Sequence, residues 1–137
     1  MICILLMRIR VLFLNGKRIK VNQNSQNKII LRISHGWKRP DIAEKIDRTL
    51  AGYEIENNRY SMAVNYCRVA SGYFDGIISL TKDSFLEFAG GLIIREAGGK
   101  FTNLKGQSDI TSTDRVFIGG NPKSYEKLLK SIEVQLQ

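Results

Sequence analysis

Apolar and polar positions alternate along this chain in two rhythms, and the change from one to the other outlines a set of alternating strands and helices. Residues 11–14 (Val-Leu-Phe-Leu) and 17–21 (Lys-Arg-Ile-Lys-Val) flank Asn15-Gly16. This predicts a hairpin, because both turn residues tolerate positive φ. Arg18 and Lys20 alternate with Ile19 and Val21, so the second strand has one wet face. Residues 22–27 form a polar loop, and residues 28–33 are almost continuously apolar, as in a strand covered on both faces. A loop through His35, Gly36 and Trp37 leads to a helix over 40–50, with Pro40 in its first turn, Asp41 at its positive end and Ile42, Ile46 and Leu50 on one stripe. The charged residues on that helix suit a solvated face.

A short strand follows at 53–55, then a helix over 61–71 that Gly72 stops, a strand over 75–80, and a long apolar segment at 85–97. This last segment is apolar or small at almost every position up to Arg95-Glu96, which predicts a helix buried on most sides. Ser84 and Glu87 have the spacing of a capping box, and Gly98-Gly99 supplies a left-handed stop. Gly90-Gly91 in mid-helix costs about 1 kcal/mol per residue relative to Ala, which predicts another backbone packed closely there. Strands at 100–103 and 115–121 precede a last helix over 122–132, capped by Asn121, with Tyr125, Leu128 and Leu129 on its buried face. Residues 1–10 give no clear element, and the tail beyond 132 needs none. The pattern predicts an α/β domain over 11–137, a layered sheet flanked by helices.

Composition refines this picture only slightly. With 137 residues, 43% hydrophobic and 25% charged, the chain suits one domain with a real core. Its net charge of +8 permits contact with nucleic acid or phosphorylated ligands, but the basic residues are scattered rather than gathered on one helix. The opening run to Leu14 is interrupted by Arg8 and Arg10 and is too short for a bilayer span, so a cytoplasmic protein with no membrane contact is expected. Cys3 and Cys67 lack metal-ligand spacing and read as reduced structural thiols. His35 has no second histidine to share a metal and reads as a loop residue.

Three blocks carry a resemblance. Residues 85–99 end in Glu-Ala-Gly-Gly after an apolar run. Residues 61–72 carry Ser61, Ala63, Val69, Ala70 and Gly72, and the hairpin around Asn15-Gly16 has the pattern Phe-x-Asn-Gly-x-x-Ile-x-Val. These resemble the C-terminal half of the inositol monophosphatase-like family of Mg²⁺-dependent phosphatases, relatives of fructose-1,6-bisphosphatase. The resemblance implies the family's C-terminal αβα domain. It also implies a phosphorylated small molecule as substrate, contacted at the start of the second helix by positions that fall here on Tyr60, Ser61 and Met62.

This sequence departs from the family pattern where the chemistry lies. Counting back without gaps, the family's metal-binding Asp falls on Leu86, its substrate-binding Glu on Ser79 and a family Arg on Asn57. Leucine offers no oxygen to a hard cation. The family's Asp-Pro-(Ile/Leu)-Asp-Gly-Thr metal motif is absent from these 137 residues. Glu87, one residue late, and Asp83 are the nearby carboxylates; a capping role is expected for Glu87 and a cap or loop role for Asp83. No catalytic or metal-binding residue is assigned. The expectation is a chain that is inactive alone. The alternatives are one half of a split phosphatase that pairs with an N-terminal half, and a noncatalytic basic module for RNA or a protein. A homodimer is also open.

Overall fold

The structure, a computed structural model, describes residues 4–7, 11–24, 26–57 and 61–136. Twelve elements follow in the order β1 (Ile4–Met7), β2 (Val11–Leu14), β3 (Lys17–Ile19), β4 (Lys28–Ile33), α1 (Pro40–Thr49), β5 (Glu54–Asn57), α2 (Met62–Ala70), β6 (Gly76–Leu80), α3 (Phe85–Glu96), β7 (Lys100–Asn103), β8 (Val116–Gly120) and α4 (Pro122–Leu136). The expected α/β class is present. Two elements exceed the sequence pattern: β1 pairs antiparallel with β2, and α4 runs four residues beyond Ile132.

Asn15 and Gly16 turn the β2–β3 hairpin with φ of 50° and 79°, the left-handed pair that Asn-Gly favours. The resulting three-stranded sheet, β1-β2-β3, leads into the body of the molecule at Val21. There the backbone N–H donates to Ala97 O at 3.0 Å, and the side chain packs against Ala70 and Ala97.

The main sheet has the order β5-β4-β6-β8-β7. Strands β5, β4 and β6 are parallel, and β8 is antiparallel to both β6 and β7. Period-two alternation divides its side chains between two layers. Ile29, Leu31, Ile78, Leu80, Val116 and Ile118 face α1 and α4, where they meet Ile46, Leu50, Tyr125, Leu128 and Ile132. Ile30, Ile77, Phe101 and Phe117 face α2 and α3, where they meet Tyr66, Val69 and Ile94. Leu129, expected in the core, is only partly buried.

The buried Asp75 fastens the loop between β3 and β4 to the start of β6. Its carboxylate accepts from Asn22 Nδ2 at 2.8 Å, Gln26 N at 2.8 Å, Lys28 N at 2.9 Å and Asn121 Nδ2 at 3.2 Å. Asn121 also caps α4, its Oδ1 accepting from Ser124 N at 2.9 Å.

Gly90 and Gly91 do mark a close approach, but aromatic rings rather than a backbone fill the space. A Cβ on Gly90 would lie 2.3 Å from Cδ2 of Tyr66, and one on Gly91 would lie 2.5 Å from Cδ1 of Phe101. Tyr66 and Phe101 meet edge to face at 5.8 Å, and Phe101 stacks on Phe117 at 5.8 Å. The two glycines are therefore the seats on which α3 rests against these rings.

Replacing Gly90 by Ala should lower stability by about 1–3 kcal/mol through overpacking against Tyr66. Helix propensity alone would raise it by about 1 kcal/mol. Urea unfolding followed by circular dichroism distinguishes the two signs.

Candidate functional site

Helix α3 decides the character of the region where the family pattern places substrate and metal. Its inward stripe is Glu87, Gly90, Gly91 and Ile94, spaced i, i+3, i+4 and i+7. The expectation of a helix buried on most sides is therefore corrected. Phe85 is 78% exposed, Leu86 50%, Phe88 43% and Leu92 40%, while Glu87 is 0% exposed.

Three donors converge on Oε1 of Glu87: Arg32 Nη1 at 2.9 Å, Ser79 Oγ at 2.8 Å and Tyr66 Oη at 3.1 Å. Arg32 Nη1 also donates to Ser79 Oγ at 2.9 Å. The sheet places these groups. Arg32 on β4 and Ser79 on β6 are partners across the parallel ladder and project to the same face, toward α3. Tyr66 reaches in from α2. Glu87 Oε2 and Arg32 Nε have no hydrogen-bond partner among the described residues. Burial pushes the Tyr66 phenol well above its ordinary range, and the adjacent Glu87 carboxylate pushes it further. Tyr66 therefore stays protonated and donates. An ion pair with the Glu87 carboxylate fully buried and the Arg32 side chain only 10% exposed is suited to holding α3 on the sheet.

The expected capping box does not form. Ser84 makes no side-chain cap; its hydroxyl donates instead to Ser112 O at 3.2 Å and Thr111 O at 3.4 Å. Asp83 takes the cap, with Oδ1 accepting from Phe85 N at 2.9 Å. Glu87 cannot reach back to the helix end because its carboxylate is committed to Arg32, on the opposite side of the first turn.

The start of α2 lies beside α3. Ser61 is exposed and caps the helix weakly, its Oγ accepting from Val64 N at 3.5 Å. Ser61, Met62, Tyr66, Leu86, Ala89 and Ile93 line a groove of about 310 Å³ between the two helices. Two of the three expected substrate positions, Ser61 and Met62, thus come together with Leu86. Tyr60 lies outside the described residues, as does Cys3. Ser79, where the family's substrate-binding carboxylate would fall, lies beneath the groove and is bonded to Glu87. Among the described residues, no cationic or acidic side chain lines this groove. From the described residues a phosphate would find the Ser61 hydroxyl and the free N–H groups of the α2 terminus there.

The donor set does not fit Mg²⁺. Leu86 offers no oxygen, and Glu87 is buried against Arg32. Among the described residues, no group of three or more His, Cys, Asp or Glu side chains could hold a metal ion. His35 is an exposed turn residue. The Cys67 thiol is free, and burial pushes it up, away from reactive thiolate. No helix among the described residues is long and apolar enough to cross a membrane.

Sequence reasoning missed Arg32 and Tyr66. The available signal was a complementary pair: a cation, Arg32, flanked by apolar residues within the strand Lys28–Ile33, and a single carboxylate within the first two turns of an apolar helix. Two such lone charges in segments destined for one core must neutralise each other.

The sequence model of the inositol monophosphatase family matches residues 7–137, and the chain belongs to that family. It is 32% identical over 127 residues to the fructose-1,6-bisphosphatase/inositol-1-monophosphatase of Aquifex aeolicus, covering 86% of this chain and 45% of that one. The fold is similar to the extragenic suppressor protein SuhB of Bartonella henselae, with a TM-score of 0.82, 23% identity and coverage of 96% of this chain and 52% of the other. It is also similar to the inositol monophosphatase of Thermotoga maritima, with a TM-score of 0.72, 23% identity, and coverage of 92% and 49%. The chain thus spans about half the length of these relatives.

Truncating Arg32 to Ala strands a buried carboxylate and should cost about 3–5 kcal/mol. The double replacement Arg32→Met with Glu87→Leu should recover most of that loss. Denaturant unfolding of the single and double variants measures the difference; equal losses in both would refute the pairing.

Proposed function

We propose that this chain is the C-terminal portion of an inositol monophosphatase-like phosphomonoesterase and has no phosphatase activity alone. Leu86 carries this reading: the position where the family pattern expects a metal-binding carboxylate is an apolar side chain, half exposed on the first turn of α3. Metal-assisted phosphate hydrolysis needs oxygen ligands to place the ion and its water. Among the described residues the groove around Leu86 carries no carboxylate; its side-chain oxygens are the Ser61 and Tyr66 hydroxyls, and the latter is bonded to Glu87. The substrate class of the parental fold, an inositol phosphate or related phosphorylated small molecule, rests on family membership alone. The free Cys67 thiol supports the cytoplasm as its location.

The exposed row Phe85, Leu86, Phe88 and Leu92 favours a second reading, in which a separate N-terminal half covers this face. Large apolar side chains gathered on one side of a helix mark an interaction surface more often than isolated ones do. The relatives, about twice as long, hold that much additional polypeptide.

The test is Mg²⁺-dependent phosphate release from inositol 1-phosphate by the folded chain. No turnover is expected. Turnover lost on Glu87→Gln would overturn the inactive reading. Mixing with the N-terminal half of a relative should give a complex by sedimentation, weakened at least tenfold by Phe88→Asp if α3 is the docking face.

A further inference from the structure

The basic excess of this chain has a local concentration at the other side of the sheet. Strands β4 and β6 run parallel and side by side, and their carboxyl ends lead to opposite faces. The chain leaves β4 through residues 34–39 to α1, which packs in one layer, and leaves β6 through residues 81–84 to α3, which packs in the other. Where neighbouring parallel strands send their connections to opposite faces, a crevice opens beyond their carboxyl ends. Here a cavity of about 470 Å³ lies at that point, on the α1 side. This is within the size range of small-molecule sites, about 300–1,000 Å³.

The cavity has a flat apolar wall and a rim of one charge sign. Trp37, Ile42 and Val116 form the apolar part, and Lys38, Lys82 and Arg115 the cationic part. Arg39 also lines it, but its guanidinium is occupied by Asp41, at 2.9 Å and 2.7 Å. Among the described residues, no carboxylate lines the cavity. The walls are fixed in place. The Trp37 indole N–H donates to Arg39 O at 2.9 Å, Ser34 N donates to Leu80 O at 2.8 Å, and Lys82 N donates to Ser34 Oγ at 3.0 Å. Arg115 Nη1 donates to Ser112 O at 2.7 Å and Asp114 O at 2.8 Å, which sets the plane of its guanidinium. Both lysine and arginine are suited to phosphate, one as a point charge and one as a fork.

We propose that this crevice binds an aromatic phosphate of mononucleotide size, with the ring against Trp37 above Ile42 and Val116 and the phosphate between Lys82 and Arg115. The site is separate from the α2–α3 groove: its apolar residues belong to the α1–α4 layer, whereas Met62 and Tyr66 belong to the other. It requires neither metal nor turnover, so it stands whether or not the chain is half of a phosphatase.

Trp37 is the single tryptophan of the chain, which makes its emission a reporter of this cavity. Titration with 5′-AMP should change that emission saturably, with half-saturation below about 1 mM. Adenosine and inorganic phosphate should each bind at least tenfold more weakly, because each offers only one half of the recognition. Lys82→Glu should weaken 5′-AMP at least tenfold, while Lys130→Glu on α4, the same charge change at a remote exposed position, should leave it within twofold. Two results overturn the proposal: no saturable change up to about 10 mM 5′-AMP, or equal weakening by both variants, which would mark nonspecific attraction. Circular dichroism confirms that each variant is folded, and calorimetric titration of 5′-AMP supplies a second readout independent of fluorescence.

Discussion

The buried pair Arg32–Glu87 decides how α3 sits on the sheet, and most of the molecule's chemical character follows from that. Hydrophobic burial alone would accept several rotations of this helix, because apolar side chains surround it. Placing Glu87 against Arg32, with Ser79 and Tyr66 donating to the same oxygen, selects one of them. Any other rotation would leave two opposite charges apart in a low-dielectric interior, which costs several kcal/mol per ion. The glycines reinforce the choice sterically, since only Gly90 and Gly91 can approach Tyr66 and Phe101 so closely.

That rotation has a cost on the opposite side. With the carboxylate and the two glycines inward, Phe85, Leu86, Phe88 and Leu92 face outward, beside the groove at the start of α2. The region where the family pattern expects metal and phosphate is therefore apolar on its surface and ionic underneath, the reverse of what hydrolysis of a phosphomonoester requires. A carboxylate one residue after the expected ligand does not substitute for it. One step along a helix is a turn of about 100°, enough to carry Glu87 from the groove into the core.

The sheet separates two kinds of surface. On the α2–α3 side the exposed face is apolar and suits a polypeptide. At the carboxyl ends of β4 and β6, on the α1 side, it is cationic with an aromatic wall and suits an anion. The net charge of +8 is thus not uniform in its meaning. Much of it is scattered over solvated positions such as Lys17, Arg18 and Lys20, and surface pairs such as Glu44 with Arg48 on α1 have little energetic consequence. The part that matters is the small group that the topology brings to one crevice.

The sequence by itself determined the α/β class, the Asn15-Gly16 hairpin, the seven strands from Val11 onward to within about two residues, the four helices and the cap at Asn121. Each of these depends on local rules of periodicity, turn geometry and capping. It also carried the family, through motifs whose small residues are set by close packing. Tertiary structure alone decided which side of α3 is the inside. Hydropathy treats Phe85 and Leu86 as core and Glu87 as surface, and it cannot see that Arg32, 55 residues earlier in the chain, lies on the neighbouring strand to meet the carboxylate. The same holds for the cationic crevice. Lys38, Lys82 and Arg115 are ordinary surface residues when read in order, and they meet only because the carboxyl ends of parallel β4 and β6 and the amino end of antiparallel β8 lie at the same edge.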